Sequence, residues 1–538
     1  MNALLKNKST LLFSLVLLGS MLLAFHNRFI QDDAFISFRY AQNLAQHGEL
    51  TWNPGEADRV EGYTNFLWTL LMTIPHLLDI DPVTFSMALG LFFALGSFIT
   101  FWHLSAYILT DFNYRLLALV LLGTNYTFSA YATGGLETQM QAFLVLLSTL
   151  FTLKLTSDDS LKNPLTLITL SIITALALLT RLDTALLLFI LCTAIGLHLL
   201  KAKLPLIKSA GTAALAVLPA VLILGAWFAW KLGYYGELLP NTFYAKTGGL
   251  SFNAIYNGIF YLYKFAHSYL LIPFAILFLF YLPRLARLPV LRILIAMTGI
   301  WLLYIIYVGG DFMEFRFLVP IIPFIMLLIT VLIALIGVKE VKYALVILLL
   351  AGSFHHQQTF TFINGIEPVD ILEGHLTKPA ENWVGTGKTL AVLFPGRDEP
   401  VVIAVSAAGA IPYYSQLPTV DVLGLNDKWI ARQGITASKR AGHQKRPTLD
   451  YLLQREVTLV IAYPLVKDNT PVMIESADDL KRYFLYGDLS RLPAGAVVLE
   501  IPVASGYSLQ AIYLTPHPAV DRLIAERHLI THDIEINN

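Results

Sequence analysis

Eleven apolar runs dominate this chain, near residues 10–28, 83–109, 116–131, 138–153, 164–180, 184–200, 209–230, 257–281, 289–308, 317–337 and 342–355. Most approach the ~20 residues that an α-helix needs to cross ~30 Å of hydrocarbon. A bilayer offers no partner to an exposed backbone group, so such runs must fold as helices. With 56% hydrophobic and 14% charged residues among 538, the expected fold is an α-helical polytopic membrane protein. The apolar excess fades after residue 355. We therefore expect a membrane domain over 1–355 and an extracytoplasmic α/β domain over 356–538. Net charge is zero and there is no basic tract, which argues against nucleic acid as a partner.

A twelfth candidate, 64–78, is short, aromatic and carries Pro75. Whether it crosses decides the sidedness of everything that follows. If it does not, eleven helices run from a cytoplasmic N-terminus to an external C-terminus. The cytoplasmic turns then carry Arg115; Lys154 and Lys162; Lys201, Lys203 and Lys208; Arg284, Arg287 and Arg292; and Lys339 and Lys342. If it crosses, all of these face outward, against the positive-inside rule. The non-crossing topology is therefore expected, with residues 29–82 as one long external loop and 34–47 and 64–78 as interfacial or re-entrant segments. Lys6 and Lys8 precede the first run without a small-residue cleavage site, the pattern of an uncleaved anchor in the cell (inner) membrane. In the tail, 401–414 and 459–466 have the character of buried strands, and 376–393 and 446–456 are helical in part.

This topology puts the polar motifs on one face. The first is IQDDAFISFRY (30–40), which sets Asp32 and Asp33 at the edge of the bilayer. One acid suffices to cap a helix; two, followed by Arg39, exceed that need. A carboxylate at such a boundary can have a raised pKa and act as a general base toward a hydroxyl. RVEGYTNFLW (59–68) adds Glu61, Tyr63 and Asn65, and GGLET (134–138) adds Glu137. TRLD (180–183) brings Arg181 and Asp183. YYGELLPNTFYAK (234–246) brings Tyr244 and Lys246, and GGDFMEFR (309–316) brings Asp311, Glu314 and Arg316. Carboxylates, amides and aromatic rings suit a sugar, and the scarce external cations suit a phosphate. GTGKT (385–389) lacks the first glycine of a phosphate-binding loop, since Asn stands at 382, and the histidines show no metal-ligand spacing.

The first external loop resembles that of AftB-type arabinofuranosyltransferases, membrane enzymes of the GT-C class. Further similarity lies in YYGELLPNTFYAK, GGDFMEFR, DVLGLNDKWIAR (421–432) and GHQK (442–445). Phe66 stands where that family has proline and Gln444 where it has glutamate. The resemblance implies a polyprenyl-phosphate-linked sugar donor, an inverting transfer of a pentose to a glycan or pilin-like protein acceptor, and catalysis by Asp33 or Asp32. Arg316 and Lys246, with Arg39, Arg181 and Tyr244, would meet the donor phosphate. Glu61, Tyr63, Asn65, Glu137 and Asp311 would contact sugar, and Asp427 and His443 of the tail would help select the acceptor. A divalent cation (Mg or Mn) between Asp32 and a phosphate is compatible but not required. Two alternatives stand beside this: transfer of another lipid-linked sugar (mannose, amino-arabinose), and a transporter or flippase for the lipid. The apolar helix centres weigh against the transporter.

Overall fold

A computed structural model describes residues 2–534 except 158–162, 202–205, 247–250, 397, 439–442, 462, 469, 473, 475 and 477. Lys162, Lys203 and Gly442, named above, lie outside the described residues, as do the side chains of Lys6 and Lys208.

Helices occupy all eleven apolar runs. Among the described residues six are long and apolar enough to cross a membrane alone: Lys8–His26, Pro82–Ser105, Thr138–Ser157, Leu182–Lys201, Ser209–Tyr235 and Pro289–Val308. Phe112–Gly123, Pro164–Thr180 and Ile322–Leu335 are shorter. Ile322–Leu335 is buried along almost its whole length, so it is a central helix facing protein rather than lipid.

One run departs from expectation. Residues 257–281 are not a single helix but Phe252–Ser268 and Ile272–Leu285, bent by 106°. The first helix closes with Leu271 N–H on the Ala266 carbonyl (2.7 Å) and Leu270 in the left-handed region (φ 56°). This is a helix-ending loop in which leucine takes the place usual for glycine. Pro273 then starts the second helix, where its missing N–H costs nothing. The disputed segment 64–78 forms two short helices, Phe66–Leu71 and Thr73–Leu77. At ~1.5 Å per residue their combined length falls well short of a bilayer.

The tail builds a mixed sheet from β1 (Ile403–Val405), β2 (Thr419–Asp421), β5 (Leu459–Ile461), β6 (Val466–Lys467), β7 (Val497–Ala504), β8 (Tyr507–Tyr513) and β9 (Ile530–Asp533). A separate antiparallel pair is formed by β3 (Ile435–Thr436) and β4 (Lys445–Arg446). The order is β2-β1-β5-β8-β7-β9, with β6 beside β8; β2, β1 and β5 are parallel and the rest antiparallel. Strand alternation divides two cores. Ile403 and Val405 face the helix Trp383–Leu393, while Ala404 faces Leu449 and Leu452. The expected strand 401–414 is thus only three residues long; Ala410–Ser415 is helical. GTGKT lies inside the helix Trp383–Leu393, whose start is capped by the Asn382 side chain on Gly385 N–H (3.1 Å).

The helix Asp32–His47 is the element that joins the two parts. Ala34 through Asn43 are all buried, so it is not a surface helix lying on lipid. The tail packs on it from above: the Trp52 indole N–H donates to Thr419 O (2.9 Å), and Asn53 and Thr419 exchange hydrogen bonds of 3.0–3.1 Å.

Candidate active site

Asp32 and Asp33 open this helix, and both remain partly accessible. Their surroundings differ. Asp32 accepts backbone N–H groups from the tail on both oxygens, Gly409 on Oδ2 (3.0 Å) and Ala410 on Oδ1 (2.7 Å). Only glycine fits at 409, because a Cβ there would lie 2.0 Å from the Asp32 carbonyl oxygen. Burial pushes the Asp32 carboxyl up to about 7 against the pull of the two amides, with the Asp33 charge adding to the rise. No described residue donates a hydrogen bond to Asp33. Burial raises its pKa as well, opposed by the charges of Arg316 and Lys246 and reinforced by Asp311 and Glu367.

Those two cations have spare capacity. Arg316 gives Nε to Asp311 (2.8 Å), and its two terminal nitrogens have no hydrogen-bond partner among the described residues. Lys246 closes the short helix Asn241–Lys246. Its side chain is exposed. Desolvation by nearby protein lowers its pKa, while Asp33 and Asp311 hold the proton on. Arg181, Arg316, Glu137, Asp183, Gln141 and Phe317 line one small cavity, with both guanidinium groups over the Phe317 ring (5.7 and 5.4 Å). Arg181 is held by Asp183 (2.5 Å) and Glu137 (2.9 Å), and Glu137 accepts Asn65 Nδ2 (2.7 Å). Asn65 thus braces Arg181 through Glu137. His443 sets its ring against Phe312 (5.6 Å, 80°), which brings it beside the loop carrying Asp311.

Several expected contacts are corrected. Arg39 does not reach the acids. Buried under the tail, it donates to Trp52 O (2.9 Å), Asn53 Oδ1 (3.0 Å), Leu417 O (2.9 Å) and Pro412 O. Glu61 is spent on a buried ion pair with Lys231 (2.6 Å), and Tyr63 meets the Tyr235 hydroxyl (3.0 Å). Tyr244 faces Glu237 (3.3 Å) and Arg432 (4.2 Å to its ring). Asp427 caps the helix Lys428–Gln433 through Ile430 N–H (2.9 Å) and accepts the Tyr451 hydroxyl (2.7 Å), so it is a framework residue. Asp32, beside which a divalent ion was held compatible but not required, accepts one amide on each oxygen. Among the described residues no group of three His, Cys, Asp or Glu could hold a metal ion.

Three participants, Lys231, Asn241 and His375, were missed by sequence reasoning, and Glu314 was named there without a partner. Lys231 stands one residue past an apolar run, and a cation close to the end of a membrane helix was the available signal. Asn241, inside the quoted YYGELLPNTFYAK, donates to Gly424 O (2.8 Å) and Asp427 O (3.1 Å) and so ties that loop to the tail. Glu314, buried, takes His356 Nε2 (2.6 Å) and Val369 N–H (2.8 Å), which fixes the loop bearing Arg316. His375, whose charge reaches Asp32, carried no signal in the sequence.

A helical membrane bundle capped by a mixed-sheet domain is the architecture of a GT-C-type membrane glycosyltransferase. The comparisons agree. Residues 11–395, well over half of the chain, match the Alg9-like mannosyltransferase family, and the chain belongs to that family. This is broader than the arabinofuranosyltransferase resemblance of the first loop. Residues 382–521 match a family described as a domain of unknown function. No curated protein matches. Among solved structures, ArnT from Cupriavidus metallidurans in the apo state is similar (12% identity, TM-score 0.53, 94% of this chain and 98% of that one). So is ArnT bound to undecaprenyl phosphate (13%, 0.53, 94% and 99%). The archaeal oligosaccharyltransferase AglB from Archaeoglobus fulgidus, in complex with an inhibitory peptide and a dolichol-phosphate, is similar too (11%, 0.50, 94% and 74%). At these identities the likeness is one of fold.

Proposed function

We propose that this protein transfers a pentose, D-arabinofuranose, from a polyprenyl-phosphate donor to a hydroxyl of a surface glycan or protein, on the extracytoplasmic side of the cell (inner) membrane. The observation that carries the proposal is the unequal pair of acids. Asp32 is clamped by two amides, whereas Asp33 is free of hydrogen bonds from described residues and lies within the influence of the Arg316 and Lys246 charges. Asp33 takes the proton of the acceptor hydroxyl, whose oxygen attacks the anomeric carbon. The bond from that carbon to the phosphate oxygen breaks, and the polyprenyl phosphate leaves with its added negative charge beside Arg316 and Lys246. Single displacement inverts the anomeric centre. Asp32 positions the helix rather than moving the proton. The ArnT complex with undecaprenyl phosphate supports a lipid-phosphate donor, and the first-loop motif supports arabinofuranose. The family match favours mannose as the second sugar to test.

The experiment is transfer by the purified full chain in nanodiscs, from polyprenyl-phospho-arabinofuranose and from polyprenyl-phospho-mannose, with Asp33→Asn as the variant. A general base contributes roughly 10²–10⁴ in rate, so Asp33→Asn should lose about that much. Full transfer by a folded Asp33→Asn protein would overturn the base; transfer of mannose alone would overturn the pentose.

A further inference from the structure

Beside Asp32, between the loop 311–316 and the tail, lies a second polar cluster that takes no part in the proposed proton and phosphate chemistry. His375, on the helix Val369–Thr377, stands between Glu367 (Nε2 to Oε2, 3.5 Å) and Glu381 (Nδ1 to Oε2, 3.8 Å). Its ring lies parallel to the Trp383 indole, 4.6 Å away at 3°. The indole N–H also donates to Glu381 (3.2 Å), and the Tyr463 ring packs on Trp383 at 5.7 Å. The Tyr463 hydroxyl is buried without a hydrogen-bond partner among the described residues, and Asp32 and Glu381 are its charged neighbours.

The cluster is half-open: the side chains of His375, Glu367 and Glu381 keep 21%, 12% and 29% of their surface. Burial works against the His375 charge, but the two glutamates overcome it and hold the imidazole at about 9. It is therefore a fixed cation that orients both carboxylates. Backbone contacts make the arrangement rigid. Glu367 N–H reaches Phe312 O (2.7 Å) in the loop carrying Asp311, and Leu465 N–H reaches Ala380 O (2.8 Å).

A serine or threonine acceptor presents one hydroxyl and would need one acceptor group. Two carboxylates ordered by a cation, an indole edge and an unpartnered phenol match a ligand with several hydroxyls. We propose that Glu367, His375, Glu381, Trp383 and Tyr463 form the acceptor subsite, and that its ligand is a carbohydrate. The glutamates accept from neighbouring sugar hydroxyls, Tyr463 bonds a ring or hydroxyl oxygen, and the attacking hydroxyl points past Asp32 toward Asp33. The assignment rests on the transferase reading above, and the test separates the two.

The test is saturation-transfer NMR on the full chain in nanodiscs, with methyl α-D-arabinofuranoside and methyl α-D-mannopyranoside as probes and a serine-containing peptide as the rival ligand. A glycoside should receive saturation from the native protein. Glu381→Gln and Tyr463→Phe, which alter a hydrogen bond without changing shape, should weaken that binding about tenfold, the effect of one charge-assisted or buried hydrogen bond. Asp33→Asn should bind the glycoside normally while losing transfer. Unchanged glycoside binding in both subsite variants, or saturation of the peptide alone, would overturn the subsite. Retained transfer by Asp33→Asn would overturn the base while leaving the subsite to its own data.

Discussion

Two adjacent aspartates fold into different environments, and the difference predicts different variants. Asp32→Asn keeps one acceptor for the Gly409 and Ala410 amides but turns an N–H₂ group toward the other. It should cost about tenfold in transfer, far less than Asp33→Asn. The pH dependence follows from the direction of each shift. The Asp32 carboxyl has its folded-state value near 7, above the ordinary 3.8, so the folded chain holds that proton more tightly than the unfolded one. Ionisation then opposes folding as pH rises through that interval, and the cost is complete above it. The thermal midpoint of the native protein should fall more than that of Asp32→Asn between about pH 5 and about pH 8. For Asp33 the pKa is also raised, with Arg316 opposing the rise. The acid limb of the transfer rate should lie above the usual carboxylate range. Arg316→Gln should move it to still higher pH, because the cation that favours the anion is gone. An acid limb that stays put in Arg316→Gln would separate Arg316 from Asp33. The pair was conspicuous in the sequence; which oxygen was taken and which was open depended on amides 377 residues further on.

At the scale of elements, the helix Asp32–His47 is held between the bundle and the tail by a few buried contacts. At Gly62 a Cβ would lie 1.8 Å from Asn426 Oδ1 and 2.9 Å from the Tyr40 hydroxyl, so the loop 59–66 and the segment 421–427 meet without space for a side chain. Gly409→Ala faces the same obstacle against Asp32 and should destabilise the docked tail by about 1–3 kcal/mol, the usual cost of overpacking. Limited proteolysis within 395–415 would reveal it as faster cleavage. The Glu61–Lys231 pair anchors that same loop to the membrane helix Ser209–Tyr235. Breaking it with Lys231→Met leaves an uncompensated buried carboxylate and should cost about 3–5 kcal/mol, while Glu61→Gln with Lys231→Met should recover part of that. Thermal melts in detergent would compare them. Period and length made these helices legible in advance, but the break at Leu270 was not, since leucine is a poor marker for a left-handed residue.

For the whole molecule, the prediction concerns sidedness. In a Cys192→Ser background, cysteine placed at Asp398 should be labelled by an impermeant reagent from outside the cell, and cysteine placed at Arg287 only after the membrane is opened. Both positions are exposed. The reverse pattern would invert the topology and remove the site from the extracytoplasmic face. The sequence by itself determined that the chain crosses a membrane many times and ends in an α/β domain, because hydropathy and strand patterning act through local transfer energies. It also marked the carriers of charge, since an acid or a lone cation at a bilayer edge is costly wherever the chain runs. Tertiary structure alone decided their uses. Arg39, Glu61, Tyr63 and Asp427 went to buried bonds with Pro412, Lys231, Tyr235 and Tyr451. Arg316 was paired with Asp311, Asp33 was left without a hydrogen bond from described residues, and the His375 charge came within reach of Asp32. Satisfying a buried polar group depends on which distant partners the fold delivers, and no local pattern encodes that.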